Sequence, residues 1–237
     1  MFPPPGVDRE TIFGGQRREP ADKREPCGGG DISETERREI REGLIAAVVG
    51  AGVDDFAINR LSQRMSANPD ALESVIGLSL SDPARLSALD RTGLMEAGPQ
   101  AALDGVASLT AEALAIPFAA VSLLDGARQL LVGCSFPSGA GERWRPVGLS
   151  ICKFTVTSGI PFIVDDATVH PLLADHPAVI SGAVGAYAGV PLFSDDDQAV
   201  GTLHSWDNHP RRWTSGQIIV LQDMADLASA KIFHRPI

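Results

Sequence analysis

The sequence predicts an α+β protein, an antiparallel sheet flanked by N- and C-terminal helices, with a further helical extension in front. Three observations carry this. Apolar residues recur at helical spacing near both ends of residues 81–235, and short apolar runs bounded by turn residues fill the middle. The last two runs are joined by the polar tip Ser194-Asp195-Asp196-Asp197, the pattern of a hairpin. Helices on either side of a meander of strands make an α+β sandwich.

Residues 1–30 hold Pro3-Pro4-Pro5, Gly28-Gly29-Gly30 and a mixed charge run from Arg17 to Glu25, with few large apolar groups. Such a segment cannot offset its ordering entropy by burial and is predicted to be a disordered tail with its charges solvated. Residues 31–80 read as a helical extension. Ser33 and Glu36 have capping-box spacing, with Asp31 the other candidate cap, and Ile40, Leu44, Ile45, Val48 and Val49 follow at helical intervals. A second helix is expected after Asp54 or Asp55 with Phe56, Ile58, Leu61 and Met65, and a third after Asn68-Pro69-Asp70 with Leu72, Val75, Ile76 and Leu78. Three short helices bury too little to stand alone, so they are expected to pack on the rest of the chain or on a partner.

From Ser81 the texture changes. Asp82-Pro83 opens a helix through Leu86 and Leu89, and Ala101 to Ala115 forms another with Leu103, Val106, Leu109 and Leu114 as its stripe. Strands are predicted over Phe118–Leu124 and Gln129–Phe136, then a loop from Pro137 to Gly148. Ser150–Ser158 is ambiguous, Phe162–Val164 is a short strand, and Asp165 to Val184 is helical or irregular. The closing hairpin pairs Gly185–Phe193 with Gln198–Trp206, and Thr214 or Ser215 caps a final helix bearing Ile219, Leu221, Met224, Leu227 and Ala228.

Composition narrows the setting. Of 237 residues, 44% are hydrophobic, enough for a core. Thirty acidic against twenty basic residues leave a net charge of −10, which disfavours nucleic acid as a partner. Cys27, Cys134 and Cys152 have no zinc spacing and suit a reducing compartment. The N-terminus has no basic and apolar leader pattern, and the longest apolar-plus-glycine run, Leu44 to Val53, is far below the roughly 20 residues that span a bilayer. The expectation is a cytoplasmic protein without membrane contact.

Several segments of residues 81–235 resemble the GAF domain, the small-molecule sensing family with a PAS-like fold. They are Arg85-Leu-Ser-Ala-Leu, Thr92-Gly-Leu-Met, Ala115-Ile-Pro117, Val121-Ser-Leu-Leu-Asp125 with Arg128-Gln129, Ser150-Ile-Cys152 and Pro161–Asp166. Tyr187-Ala-Gly-Val-Pro-Leu192 and Gly201-Thr-Leu203 with Asp207 and Pro210-Arg211 complete the series. The resemblance implies a pocket on one face of the sheet and dimerisation through terminal helices. It does not extend to residues 1–80.

Period-two alternation puts Tyr187, Gly189 and Pro191 on one face, and Thr202, His204 and Trp206 on one face of the last strand. The Leu203 face is assigned to the terminal helices, and the Tyr187, His204 and Trp206 face to the pocket. Gly189 in a strand marks a close backbone or ligand approach. Phe154, Ile163, Cys152, Cys134 and Asp165 complete the candidate ligand-binding set. His204 reads as a polar ligand contact or an axial haem ligand, and no cofactor is named. His170 and His176 read as surface or hydrogen-bonded residues, Asp195–Asp197 as a solvated turn, and Cys134 and Cys152 as small buried hydrophobes. No metal-ligand spacing, phosphate loop or nucleophile-and-base motif is found.

The chain departs from the resembled family at several points. It lacks the Cys-His pair that attaches a bilin, the Asn-Lys-x-Asp pattern of cyclic-nucleotide-binding members, and the closely spaced cysteines of members that reduce free methionine sulfoxide. The expectation is a regulatory sensor without enzymatic activity, acting in signal transduction. It would bind a small-molecule ligand, form a homodimer and signal through contact with a protein partner. A pocket-filled interaction protein and a cysteine-based redox enzyme or redox sensor are the alternatives.

Overall fold

The computed structural model describes residues 32–49, 61, 63, 68, 70–136 and 143–233. The predicted tail 1–30, most of the expected helix after Asp54, and the first part of the loop from Pro137 lie outside the described residues. No helix among the described residues is long and apolar enough to cross a membrane.

Helix α1 spans Glu34–Val49, and the Ser33 hydroxyl accepts from the Glu36 N–H at 3.2 Å, as the spacing predicts. Its inner face is Ile40, Leu44, Ala47 and Val48; Ile45 and Val49 point outward. Helix α2, Asp70–Leu80, buries Leu72, Val75 and Ile76 in the same cluster. Asp82 caps α3, Pro83–Asp90, by accepting from Arg85 N, with Pro83 in the first turn. The buried Arg85 guanidinium donates from Nη1 to Leu124 O at 2.8 Å and from Nε to Leu80 O at 3.1 Å, tying the end of α2 to the sheet. Desolvation lowers its pKa, against the pull of Asp125 and Asp82.

A single turn, α4, Leu94–Ala97, precedes α5, Ala101–Leu114. The expected α5 stripe is corrected at Leu109, which is 52% exposed; Ala107 and Thr110 face inward with Leu103, Val106 and Leu114, at intervals that keep one face of a helix. A full capping box of Thr214 and Gln217 starts α8, Ser215–Ile232. Its inward line is Leu221, Ala225, Ala228 and Ile232, whereas Ile219 is exposed.

Six strands follow the order β3-β2-β1-β6-β5-β4, every pair antiparallel. They are β1 Phe118–Leu124, β2 Arg128–Cys134, β3 Trp144–Pro146, β4 Phe162–Val164, β5 Ala186–Phe193 and β6 Ala199–Asp207. β3 lies inside the expected loop; its Trp144 ring meets the Arg128 guanidinium at 4.4 Å. A bulge sits in the β1–β2 ladder beside Val121 and Ser122. A Cβ on Gly133 would fall 2.4 Å from the Leu103 backbone, so β2 lies directly against α5.

The two sheet faces are covered differently. Leu203, Val121, Leu130 and Val190 pack with Leu103 of α5 and Leu221 and Ala225 of α8. The other face carries Tyr187, Trp206, Phe162 and Cys134 and is covered by α6, Cys152–Ser158, with α1 and α2 stacked outside α6. The sequence of α6, Cys-Lys-Phe-Thr-Val-Thr-Ser, is rich in β-branched residues and a weak helix former. Burial of Phe154 and Val156 between two layers overrides that preference.

Candidate functional site

Neighbouring strands bring Ser122 of β1, Gln129 of β2, Tyr187 of β5 and Thr202, His204 and Trp206 of β6 onto the face beneath α6. The register pairs Ser122 with Thr202 and Tyr187 with Trp206. The face assignment drawn from alternation matches: Leu203 lies among the α5 and α8 side chains, and Tyr187 and Trp206 lie with Phe154 and Cys152.

The rings stack on one another. Tyr187 stacks on His204 at 5.8 Å, His204 on Trp206 at 5.3 Å and Trp206 on Phe118 at 5.2 Å, while Phe136 meets Trp206 edge-on at 5.6 Å. The aromatic planes expected to wall a ligand therefore serve each other. Gly189 is explained the same way: a Cβ there would sit 2.5 Å from the Tyr187 hydroxyl oxygen, so the glycine makes room for that side chain and not for a ligand. Pro191 lies beyond the end of the β4 pairing, where a missing N–H is tolerated.

The polar groups form a second unit. Gln129 Nε2 donates to Ser122 Oγ at 2.7 Å and to Cys152 Sγ at 3.5 Å, Ser122 Oγ pairs with His204 Nε2 at 2.9 Å, and the Tyr187 hydroxyl donates to Cys152 Sγ at 3.5 Å. Around this chain, Ser150 lies within hydrogen-bonding reach of Cys152 and Thr155 of Tyr187, while Thr202 Oγ1 and His204 Nδ1 are buried with no hydrogen-bond partner among the described residues. His176, which precedes the single-turn α7, Pro177–Ile180, accepts at Nδ1 from Ala178 N at 3.2 Å; its Nε2 is likewise buried and unpartnered.

Electrostatics mark the same place. Burial, then the Arg145 charge, lowers the His204 pKa to about 3; burial, then Lys153 and Arg145, lowers that of His176 to about 4. Both imidazoles are neutral. Burial also pushes the Cys152 thiol up, against hydrogen bonding from Tyr187 and the Arg145 charge. A protonated thiol is a poor nucleophile. Cys134 and Cys152 are free and buried, and Cys134 Sγ donates to Phe136 O at 3.0 Å.

Two expected site residues are corrected. Ile163 points to the opposite face, because it pairs with Ala188 and packs with the α5 and α8 cluster. Asp165 is exposed; its carboxylate accepts from Trp213 N at 3.0 Å and its carbonyl from Arg211 N at 2.9 Å, so it fastens the segment leading to α8. Asp166 caps the 3-10 turn Ala167–Val169. Asp196 at the hairpin tip pairs with Arg91. No cluster of three metal-binding side chains occurs among the described residues.

Sequence reasoning missed Ser122, Gln129, Arg145, Ser150, Thr155 and His176. For Ser122 and Gln129 a signal exists, since each is a polar residue at an inward position of an otherwise apolar strand. Arg145, Ser150 and His176 come from short edge and loop segments without periodicity. An open cleft of about 600 Å³ lies apart from all of these, lined by Arg37, Arg41, Leu78, Arg85 and Gln198. Its Arg85 is committed to backbone carbonyls.

A family model described as the GAF domain matches residues 98–232. No curated protein matches the chain. Among solved structures, the chain is similar to a free methionine-R-sulfoxide reductase from Neisseria meningitidis in complex with its substrate, at 24% identity over 56% of this chain and 76% of that one, TM-score 0.46. It is similar to the GAF domain of an Acinetobacter phosphoenolpyruvate-protein phosphotransferase at 16% identity over 65% and 95%, TM-score 0.47. A domain of a two-component sensor histidine kinase protein from Sinorhizobium meliloti aligns at 17% identity over 54% and 86%, TM-score 0.42. The expectation of a chain without enzymatic activity is corrected: free methionine-R-sulfoxide reductases stand beside sensor domains among the similar structures.

Proposed function

The chain belongs to the GAF domain family, and from that we propose that the sheet face beneath α6 receives a small molecule in a sensing or regulatory role. One observation carries the reading: the Thr202 hydroxyl and His204 Nδ1 are buried and unpartnered beside the Gln129–Ser122–His204 chain that reaches Cys152. Each such atom costs about 1–3 kcal/mol when left unpaired, and a polar ligand recovers that. Helix α6 is the relay. It touches β5 and β6 on its inner side and α1 and α2 on its outer side. Lys153 of α6 also reaches Glu73 of α2 at 2.6 Å. In this reading the output surface is the outer side of α1 and α2, where Ile45, Val49 and Leu78 are exposed to a protein partner or a second copy of the chain.

The test is mass spectrometry of molecules released on gentle denaturation, followed by amide exchange with and without the compound found. The expected result is a stoichiometric compound whose addition slows exchange in α6 and in α1 or α2. Slowing confined to loops far from Cys152 would sink the reading. The stacked rings favour a second reading, an interior filled by its own side chains in a protein that acts by surface contact. That reading predicts no released compound and no thermal shift in a ligand screen.

A further inference from the structure

The open cleft of about 600 Å³ is lined by both α1 and α2. Helix α1 contributes Arg37, Arg38 and Arg41, and α2 contributes Val75, Leu78 and Ser79, each set at the intervals that share one face of a helix. Val75 and Val156 are buried and Ala199 is half-buried, so these three make an apolar floor, and Leu78, 55% exposed, is an apolar wall. The carboxylates on the lining are engaged. Asp82 accepts from Arg85 N at 2.9 Å as the cap of α3, and the exposed Glu34 lies 3.6 Å from Arg37. Arg38 reaches Glu42 at 3.7 Å, again between exposed side chains, and Arg41 takes part in no ion pair among the described residues. Long exposed pairs of this kind hold weakly and yield to an anion that meets a guanidinium with two oxygens. In a chain of net charge −10, arginines are gathered at one recess with an apolar floor.

We propose that this cleft is a ligand site in its own right and takes a small organic anion. Arg38 and Arg41 hold its phosphate or carboxylate group at the rim, and its apolar body lies against Val75, Leu78 and Val156. The volume falls within the about 300–1,000 Å³ of small-molecule sites, which commits the recess to a small occupant rather than to a protein face. A guanidinium is planar and always charged, and it offers two parallel N–H donors to either oxyanion. A neutral molecule of the same shape gains the apolar contact alone, so charge sets the choice. The occupant touches α1, α2 and α6 together, since Val156 belongs to α6. The cleft is independent of any ligand on the sheet face beneath α6.

The experiment uses the full chain at constant ionic strength in chloride. Thermal midpoints and titration calorimetry are recorded with phenyl phosphate, benzoate and inorganic phosphate, and with the neutral benzamide. Phenyl phosphate or benzoate is expected to bind saturably and benzamide not to bind; inorganic phosphate, which has no apolar body, should bind more weakly than phenyl phosphate. Arg41→Gln should weaken the organic anion about fivefold, and the double variant Arg38→Gln, Arg41→Gln about tenfold or more. Both side chains are exposed, so the midpoint without ligand should stay at the parent's value. Arg212→Gln, exposed and outside the cleft, should keep the parent's affinity. Amide exchange should slow in α1 and α2 when the anion is added. Undiminished binding in the double variant overturns the site, and so does an equal loss in Arg212→Gln, which would reduce the effect to general charge attraction. Benzamide matching benzoate overturns the anion class. A mass by light scattering that halves in the double variant assigns the arginines to a contact between copies and overturns the proposal. Silence from all three anions overturns it too, and leaves any compound found beneath α6 unaffected.

Discussion

His176 and His204 show how much one buried side chain carries. Their ordinary pKa is 6.5, and burial beside the Arg145 charge lowers them to about 4 and about 3. Between those values and 6.5 the unfolded chain binds more protons than the native one. Stability from keeping these rings neutral is therefore complete above about pH 6.5 and is lost as pH falls toward 4 and 3. The slope approaches about 1.4 kcal/mol per pH unit for each imidazole. His204→Phe keeps a ring between Tyr187 and Trp206 and removes the titration. Its urea midpoint should fall less steeply than the parent's between pH 7 and pH 5. Parallel curves would show that His204 is not the buried neutral base described here. Alternation along β6 made the direction of His204 readable, but its Ser122 partner lies 82 residues away on another strand, a pairing that no local pattern encodes.

At the scale of elements, caps and periodicity were readable where the signal is local. Asp82-Pro83, Ser33 with Glu36 and Thr214, one of two candidates with Ser215, act as caps at the expected helix starts. Which apolar residues turn inward was less readable, because α1, α5 and α8 carry more apolar positions than one face holds. Leu44 is 1% exposed and Ile45 44% exposed on the same helix. Leu44→Ala should cost about 2–5 kcal/mol by urea denaturation, and Ile45→Ala should stay within about 0.5 kcal/mol. The same burial means that Asp at Ile40 or Leu44 unfolds the chain rather than separating two copies of it. Equal costs at Leu44 and Ile45 would mean that Ile45 is covered, as an interface between copies would do.

At the scale of the molecule, α1 and α2 share one apolar cluster with Tyr187, Trp206 and α6, and Arg85 ties α2 to β1. A chain beginning at Ser81 should therefore lose solubility or bind hydrophobic dyes, and melt well below the full chain. A truncated protein with an unchanged midpoint would show that α1 and α2 are an accessory and not the wall of the site. The amino-acid sequence by itself determined the α+β class, the closing hairpin, most helix starts and the sheet face that bears Tyr187, His204 and Trp206, because periods of 2 and 3.6 and capping chemistry are properties of neighbouring residues. Only the tertiary structure decided that α6 is a helix, that β3 joins the edge of the sheet, and that the rings stack on one another. It alone brought Ser122 and Gln129 of the sheet to Cys152 at the start of α6. Those outcomes depend on burial and charge supplied by segments far apart in the chain, and no short window of residues contains that information.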